Sequence, residues 1–251
     1  HAICDGIRDV LDRSGIAPAD IAGIGIDGQS WSAIPVDKDG NALARTPIWM
    51  DTRARDICDR VKSEIGFDRI FSVAGNDFLP SYTTPKMLWF KEQAPDIYKK
   101  TYKFLQSNSY IALKLTGVMS MDLSQGYGVH FFKMDDCTVD AGLAKDMGLS
   151  ADLVPRLYGC HEIVGKVTAE AAALTGLAEG TPVAAGGLDA ACGTLGAGVY
   201  LPGQTQEQGG QAGGMSICVD HALAHPKLIL SPHVVPGMWL LQGGTVGGGG
   251  T

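Results

Sequence analysis

Residues 180–198 are almost entirely small and apolar, and a single charged residue, Asp189, interrupts them. Residues 182–185 fit a short buried strand bounded by turn residues. Gly186 and Gly187 permit a sharp turn and leave open space, and residues 190–195 suit a helix packed closely on a sheet. The pattern sets a carboxylate at the carboxyl end of a strand, where open α/β sheets bind ligands. It also sets that carboxylate at a helix N-terminus, whose partial positive charge favours the ionised form. Two roles are open to Asp189: it caps its helix, as Asp commonly does, or it serves a ligand in the space the glycines leave.

A second candidate is the polar loop Gly28-Gln29-Ser30-Trp31-Ser32, at the end of a strand expected over residues 21–27. The Gln29 amide suits paired hydroxyl groups and Trp31 offers a flat apolar face, a mixture that sugar sites use. Trp49, Trp89 and Trp239 read as core instead. Residues 209–214 are glycine-rich and join two expected strands, 204–208 and 215–219. Such a turn can set backbone N–H groups against phosphate oxygens, or it is a loop with no ligand. His221 and His225 have the i, i+4 spacing of a metal pair but lack a third partner nearby, so a solvated face fits them better. The span contains no GxxxxGK[ST] and no GxSxG, which excludes P-loop NTPase and nucleophile-elbow hydrolase chemistry from it.

These residues need a scaffold. With 251 residues, 45% apolar and 19% charged, the chain has ample core for one large or two medium domains. A net charge of −7 argues against a nucleic-acid partner, and no apolar run is long enough for a membrane span. The six scattered cysteines form no CxxC pair and read as reduced thiols of a cytoplasmic protein. Helices are expected over residues 2–13, from Asp51, from Thr84 at a cap with Pro85 at the first helical position, and over 108–115, 141–147 and 169–174. Strands are expected over 33–36, 48–50, 102–105 and 163–167. Their alternation predicts an α/β fold, and a composition shift near residues 177–182 predicts a domain boundary. Both ends read as cut, since a helix begins at once and the glycine-rich end, residues 243–251, offers no packed element.

Four segments then resemble one family, the FGGY carbohydrate kinases, in its xylulokinase-like branch. Residues 81–93, Ser-Tyr-Thr-Thr-Pro-Lys-Met-Leu-Trp-Phe-Lys-Glu-Gln, fit the family's first signature at every defined position. Residues 26–31 resemble its sugar-loop strand, 48–53 its Trp-x-Asp-x-Arg segment, and 186–191 the strand end that carries its catalytic aspartate. The sequence departs from xylulokinases at Ser30-Trp31, where Met-His is usual, and at Ala190, where Asn is usual. It also has Gly210-Gln211-Ala212-Gly213 in place of Gly-Thr-Ser-Gly.

The resemblance implies an actin and hexokinase-type fold of two ribonuclease-H-like domains closing on a cleft. Residues 1–180 would be most of the sugar-binding domain and 181–251 the start of the nucleotide-binding domain. A phosphate-binding hairpin would precede residue 1 and the adenosine site would follow residue 251. It implies ATP and Mg2+ as cofactors and a sugar as substrate, with Asp189 as the base. Gln29, Ser30, Trp31, Asn76, Ser81 and Ala190 would line the sugar. Gly210, Gln211, Gly213 and a turn at Gly243-Gly244 would approach the phosphates. No nucleic-acid or membrane partner is expected, and a homodimer is left open.

Overall fold

The computed structural model of the chain describes residues 2–209 and 213–245. It begins with α1 (Ala2–Ser14), then β1 (Asp27–Gly28), β2 (Ile34–Val36), α2 (Arg55–Ile65), α3 (Phe67–Ala74), α4 (Thr83–Gln93) and α5 (Pro95–Lys100). There follow β3 (Lys103–Leu105), α6 (Ser107–Thr116), β4 (Ser120–Asp122), a 3-10 turn over Leu123–Gly128, β5 (Phe132–Lys133), β6 (Thr138–Val139) and α7 (Ala141–Asp146). The rest is β7 (Arg156–Tyr158), β8 (Ile163–Lys166), α8 (Ala169–Thr175), β9 (Pro182–Ala184), β10 (Gly187–Leu188), α9 (Asp189–Gly196), β11 (Thr205–Gly209), β12 (Gly213–Val219), β13 (Ile229–Pro232) and β14 (Trp239–Thr245). The α/β alternation expected from the sequence is present.

The ladders are short. β1 runs parallel to β10 and β4 to β7, while β2–β3, β5–β6 and β8–β9 are antiparallel. The strand expected over residues 21–27 is realised as a parallel bridge from Ile24 to Val183, then as β1. These pairings tie residues 182–188 into the strands of the first part, beyond the composition shift. The last four strands form one antiparallel sheet in the order β11-β12-β14-β13.

Helix α4 sits at the centre. Every side chain from Thr83 to Leu88 is buried, and so is Phe90, as expected of a helix that enters the interior, and exposure returns only in the last turn at Lys91, Glu92 and Gln93. Phe90 packs on Phe104 with centroids 5.7 Å apart, within a cluster that includes Phe78, Tyr82, Phe131 and Phe132.

Four expectations are corrected here. α4 starts at Thr83 behind an extended Tyr82, because the Thr84 hydroxyl is taken by the His130 N–H at 2.8 Å. Pro85 still falls in the first turn, where its missing N–H costs no hydrogen bond. Asp51 opens no helix: its carboxylate holds the Arg53 N–H and Nε at 3.0 and 2.9 Å, and α2 begins at Arg55. Residues 48–50 form no strand. Gly243 and Gly244 are not a turn but lie inside β14, opposite Met215 and Gly214.

His130 is buried against the edge of Phe78, and its Nε2 pairs with the Asp77 carbonyl oxygen at 3.0 Å. Burial pushes its pKa down to about 4. The unfolded chain therefore takes up this proton first as pH falls. The contribution is complete above about pH 6.5 and is lost between there and pH 4, about 3 kcal/mol in all. Urea unfolding at pH 7 and pH 4.5 should show a smaller acid loss for His130→Phe than for the parent. An equal loss in both would place the acid sensitivity elsewhere.

Candidate active site

The site begins where β1 and β10 end side by side, with Asp27 paired to Gly187 and Gly28 to Leu188. The approach to β10 passes through Gly186, at φ +77°, where an added Cβ would lie 1.9 Å from the Ile26 carbonyl oxygen. No other residue fits there. Protein atoms also crowd Gly187, with Val234 and Cys192 against it. The space the glycines leave is therefore filled by the fold, not by a ligand.

Asp189 follows as the first residue of α9, behind an extended Leu188. Its Oδ1 accepts the Ala190 N–H at 2.7 Å, and Oδ2 makes no hydrogen bond among the described residues. A usual helix cap would reach the second or third N–H of the helix, so Asp189 is not one. Its side chain is exposed but set against protein on one side. Burial pushes its carboxyl pKa up, the Ala190 N–H opposes this, and the nearby Asp27 charge adds to the rise. A helix N-terminus by itself would lower it; desolvation outweighs that here and leaves a more basic carboxylate.

The Gln29–Trp31 loop stands beside it. Trp31 has φ +59°, a left-handed conformation rare for a bulky residue and costing about 1–3 kcal/mol. Its ring stacks on Tyr82 at 4.1 Å and tilts against Tyr127 at 5.5 Å. Trp31 is thus partly core, while its indole Nε1 is buried without a hydrogen-bond partner among the described residues. The Tyr127 hydroxyl donates to Ser30 Oγ at 2.8 Å. Burial above all, with the charges of Asp189 and Asp122 adding, holds the Tyr127 phenol well above its ordinary pKa, so it stays a donor. The parallel pairing of Gly28 with Leu188 brings the start of this loop beside Asp189.

Both walls are held by one buried turn that the sequence reading passed over. The Asp122 carboxylate is fully buried and accepts from Ser124 Oγ, from the Gln125 N–H at 3.0 Å and from Asn108 Nδ2 at 2.8 Å. Ser124 Oγ in turn accepts the Leu188 N–H at 2.9 Å, one residue before Asp189. Gln125 Nε2 donates to the carbonyls of Gly28 and Gln29 at 3.0 and 3.2 Å. Gly28 allows α6 to approach, since a Cβ there would lie 2.5 Å from Ser107 Oγ, which donates to the Gln29 carbonyl. Burial raises the Asp122 pKa, and its three donors oppose the rise. The one sequence signal for this turn was a capping pattern at Asp122-Leu123-Ser124.

The other expected residues divide. Ala190 lies beside Asp189, and Ser81 lies just before α4 with its carbonyl turned to Lys86. Asn76 is not available to a sugar. Its amide donates to the Ala74 and Leu230 carbonyls and accepts the Leu230 N–H, which locks α3 to β13 inside the core. Gly213 opens β12 opposite Thr245, and Gly214 faces Gly244 across the ladder, so glycines of two strands meet at this end of the sheet. Gly210 and Gln211 lie outside the described residues. Among the described residues no three His, Cys, Asp or Glu side chains gather as a metal site, and no helix is long and apolar enough to cross a membrane.

The model of the FGGY family of carbohydrate kinases, N-terminal domain, matches residues 1–196. The chain belongs to the FGGY family of carbohydrate kinases. It is 34% identical over 201 residues to the xylulose kinase of Bacillus subtilis, covering 80% of this chain and 40% of that protein. It is 29% identical over 244 residues to an autoinducer-2 kinase of Klebsiella pneumoniae, covering 94% and 45%. The solved xylulose kinase of Rhodospirillum rubrum superposes with a TM-score of 0.91 at 28% identity, over 97% of this chain and 50% of that one. The chain therefore spans about half the length, or less, of the relatives it matches. Within that span it carries part of the α/β sugar-kinase fold that the FGGY resemblance implied.

Asp122→Ala should show how much of this FGGY site hangs on the buried turn. Asn108, Ser124, the Gln125 N–H and the more distant Cys160 thiol would lose their acceptor, and the expected loss of stability is about 2–4 kcal/mol by urea unfolding. A loss below about 0.5 kcal/mol would mean that the turn is held by packing alone.

Proposed function

We propose that the intact protein transfers the terminal phosphoryl group of ATP to a sugar hydroxyl, that of a ketopentose such as xylulose, with Asp189 as general base. The observation that carries the reading is the position of Asp189. It is a carboxylate with a raised pKa and a free oxygen, at a strand end beside a loop of hydroxyl and indole groups. In this reading Gln29, Ser30 and Trp31 receive the sugar, with Ser81 and Ala190 at its border. Tyr127 orients Ser30, and Asp189 accepts the proton of the attacking hydroxyl. Proton removal need not be complete before bond formation, so a carboxylate suffices.

ATP with Mg2+ supplies the phosphoryl group and its charge neutralisation. The glycines Gly213, Gly214, Gly243 and Gly244 suit a backbone approach to phosphates, with Gly210 and Gln211 as their proposed continuation. The metal would arrive on the nucleotide, as Mg2+ commonly does. The reading divides the chain into a sugar-binding part and the start of a nucleotide-binding part, and sets the protein in the cytoplasm, which six free cysteines support. Resemblance to an autoinducer-2 kinase keeps other polyols and ketoses in the test panel.

Asp189→Asn keeps shape and the hydrogen bond to Ala190 but removes the proton acceptor. The intact variant should keep its melting temperature and bind sugar and ATP within severalfold of the parent. It should lose about 10²–10⁴-fold in kcat. Near-parental turnover would remove Asp189 from the chemistry.

A further inference from the structure

Lys86 is the buried charged residue of helix α4, whose other charges, Lys91 and Glu92, lie exposed in its last turn. No carboxylate pairs with its ammonium among the described residues. Instead Nζ donates to two backbone carbonyls, that of Trp31 at 2.8 Å and that of Ser81. The next carbonyl along, Ser32, accepts from Thr83 Oγ1 at 3.2 Å, one turn earlier on the same helix. Helix α4 therefore grips two consecutive carbonyls of the loop where Trp31 takes its left-handed conformation. The Tyr82 ring under Trp31 lies at the start of this helix.

We propose that Lys86 is a positioning residue for the acceptor sugar: its ammonium pins the Trp31 carbonyl to the Ser81 carbonyl and so fixes the Gln29–Trp31 loop in its binding shape. This rests on the reading of that loop as the sugar wall. A lysine used only for stability would be a poor choice at this place. Burial drives its pKa down to about 7 against the pull of Asp51, so an apolar residue of the same length would avoid the desolvation cost. What Met cannot do is hold a carbonyl. Without that hold, the strained backbone at Trp31 is free to relax to the ordinary φ < 0 region.

Lys86→Met tests this in the intact protein. The KM for D-xylulose, or for the best sugar found, should rise about tenfold or more, with the ATP KM within about twofold. The emission of Trp31, isolated by subtracting the spectrum of Trp31→Phe, should shift to the red. Equal rises in both KM values, or unchanged sugar KM with unchanged emission, would overturn the proposal. If Lys86→Met does not fold, the carbonyl carbon NMR shift of Trp31 in the parent, selectively labelled, decides. A shift in the hydrogen-bonded range is the expected result, and the shift of a free carbonyl overturns it. A parent that phosphorylates no sugar refutes the kinase reading, while emission and the carbonyl shift still judge whether Lys86 fixes the loop.

Discussion

Burying the Asp122 carboxylate costs several kcal/mol of lost hydration unless its oxygens are satisfied. Here they are satisfied by a side chain from α6, a side chain from the 3-10 turn and a backbone N–H of that turn. Those donors are fixed in space by the carboxylate, and each also touches something else. Ser124 holds the backbone one residue before Asp189, Gln125 holds the carbonyls before Ser30, and Asn108 reaches the Ala185 carbonyl at 3.4 Å. The two walls of the candidate site come from segments about 160 residues apart, and this turn is where they share a foundation. A charge in the core thus acts less as a source of stability than as a device that fixes one arrangement.

Electrostatics and strain converge on the same few ångströms. Asp189 is made more basic by burial and by Asp27. Tyr127 is kept protonated, and Trp31 is kept left-handed. The raised pKa of Asp189 and the left-handed backbone of Trp31 are each unfavourable alone and persist because packed neighbours over-determine them, which is typical of functional sites. The aromatic group of Trp31, Tyr82 and Tyr127 supplies the packing, and α4 supplies the polar hold on the loop backbone.

The sequence announced the elements better than the joints. Asp189 between glycines and a small-residue helix, and Gln29 to Trp31 after an Ile-rich strand, were legible because their signals are local. Asn76 was misread because its partner, Leu230, is 154 residues away, and a polar residue near a helix end looks free until that strand arrives. Gly243 and Gly244 were read as a turn because glycine usually marks one; in β14 they instead pair with Met215 and Gly214 inside a ladder. Asp122, Gln125 and Lys86 gave almost no signal, since nothing in a lone buried Asp, Gln or Lys says which carbonyls or N–H groups it will meet. The helix-end expectation for Asp189 gave the wrong sign of its pKa shift, because desolvation depends on neighbours that only the fold brings.

The account's central claim is that these two walls enclose one acceptor hydroxyl. A crystal structure of the intact protein with D-xylulose and a non-hydrolysable ATP analogue tests it directly. The predicted result is a sugar hydroxyl about 2.6–3.2 Å from Asp189 Oδ2, with the sugar against Ser30 and Trp31. A sugar bound elsewhere, or one whose hydroxyls all avoid Asp189 while the nucleotide is in place, would contradict it.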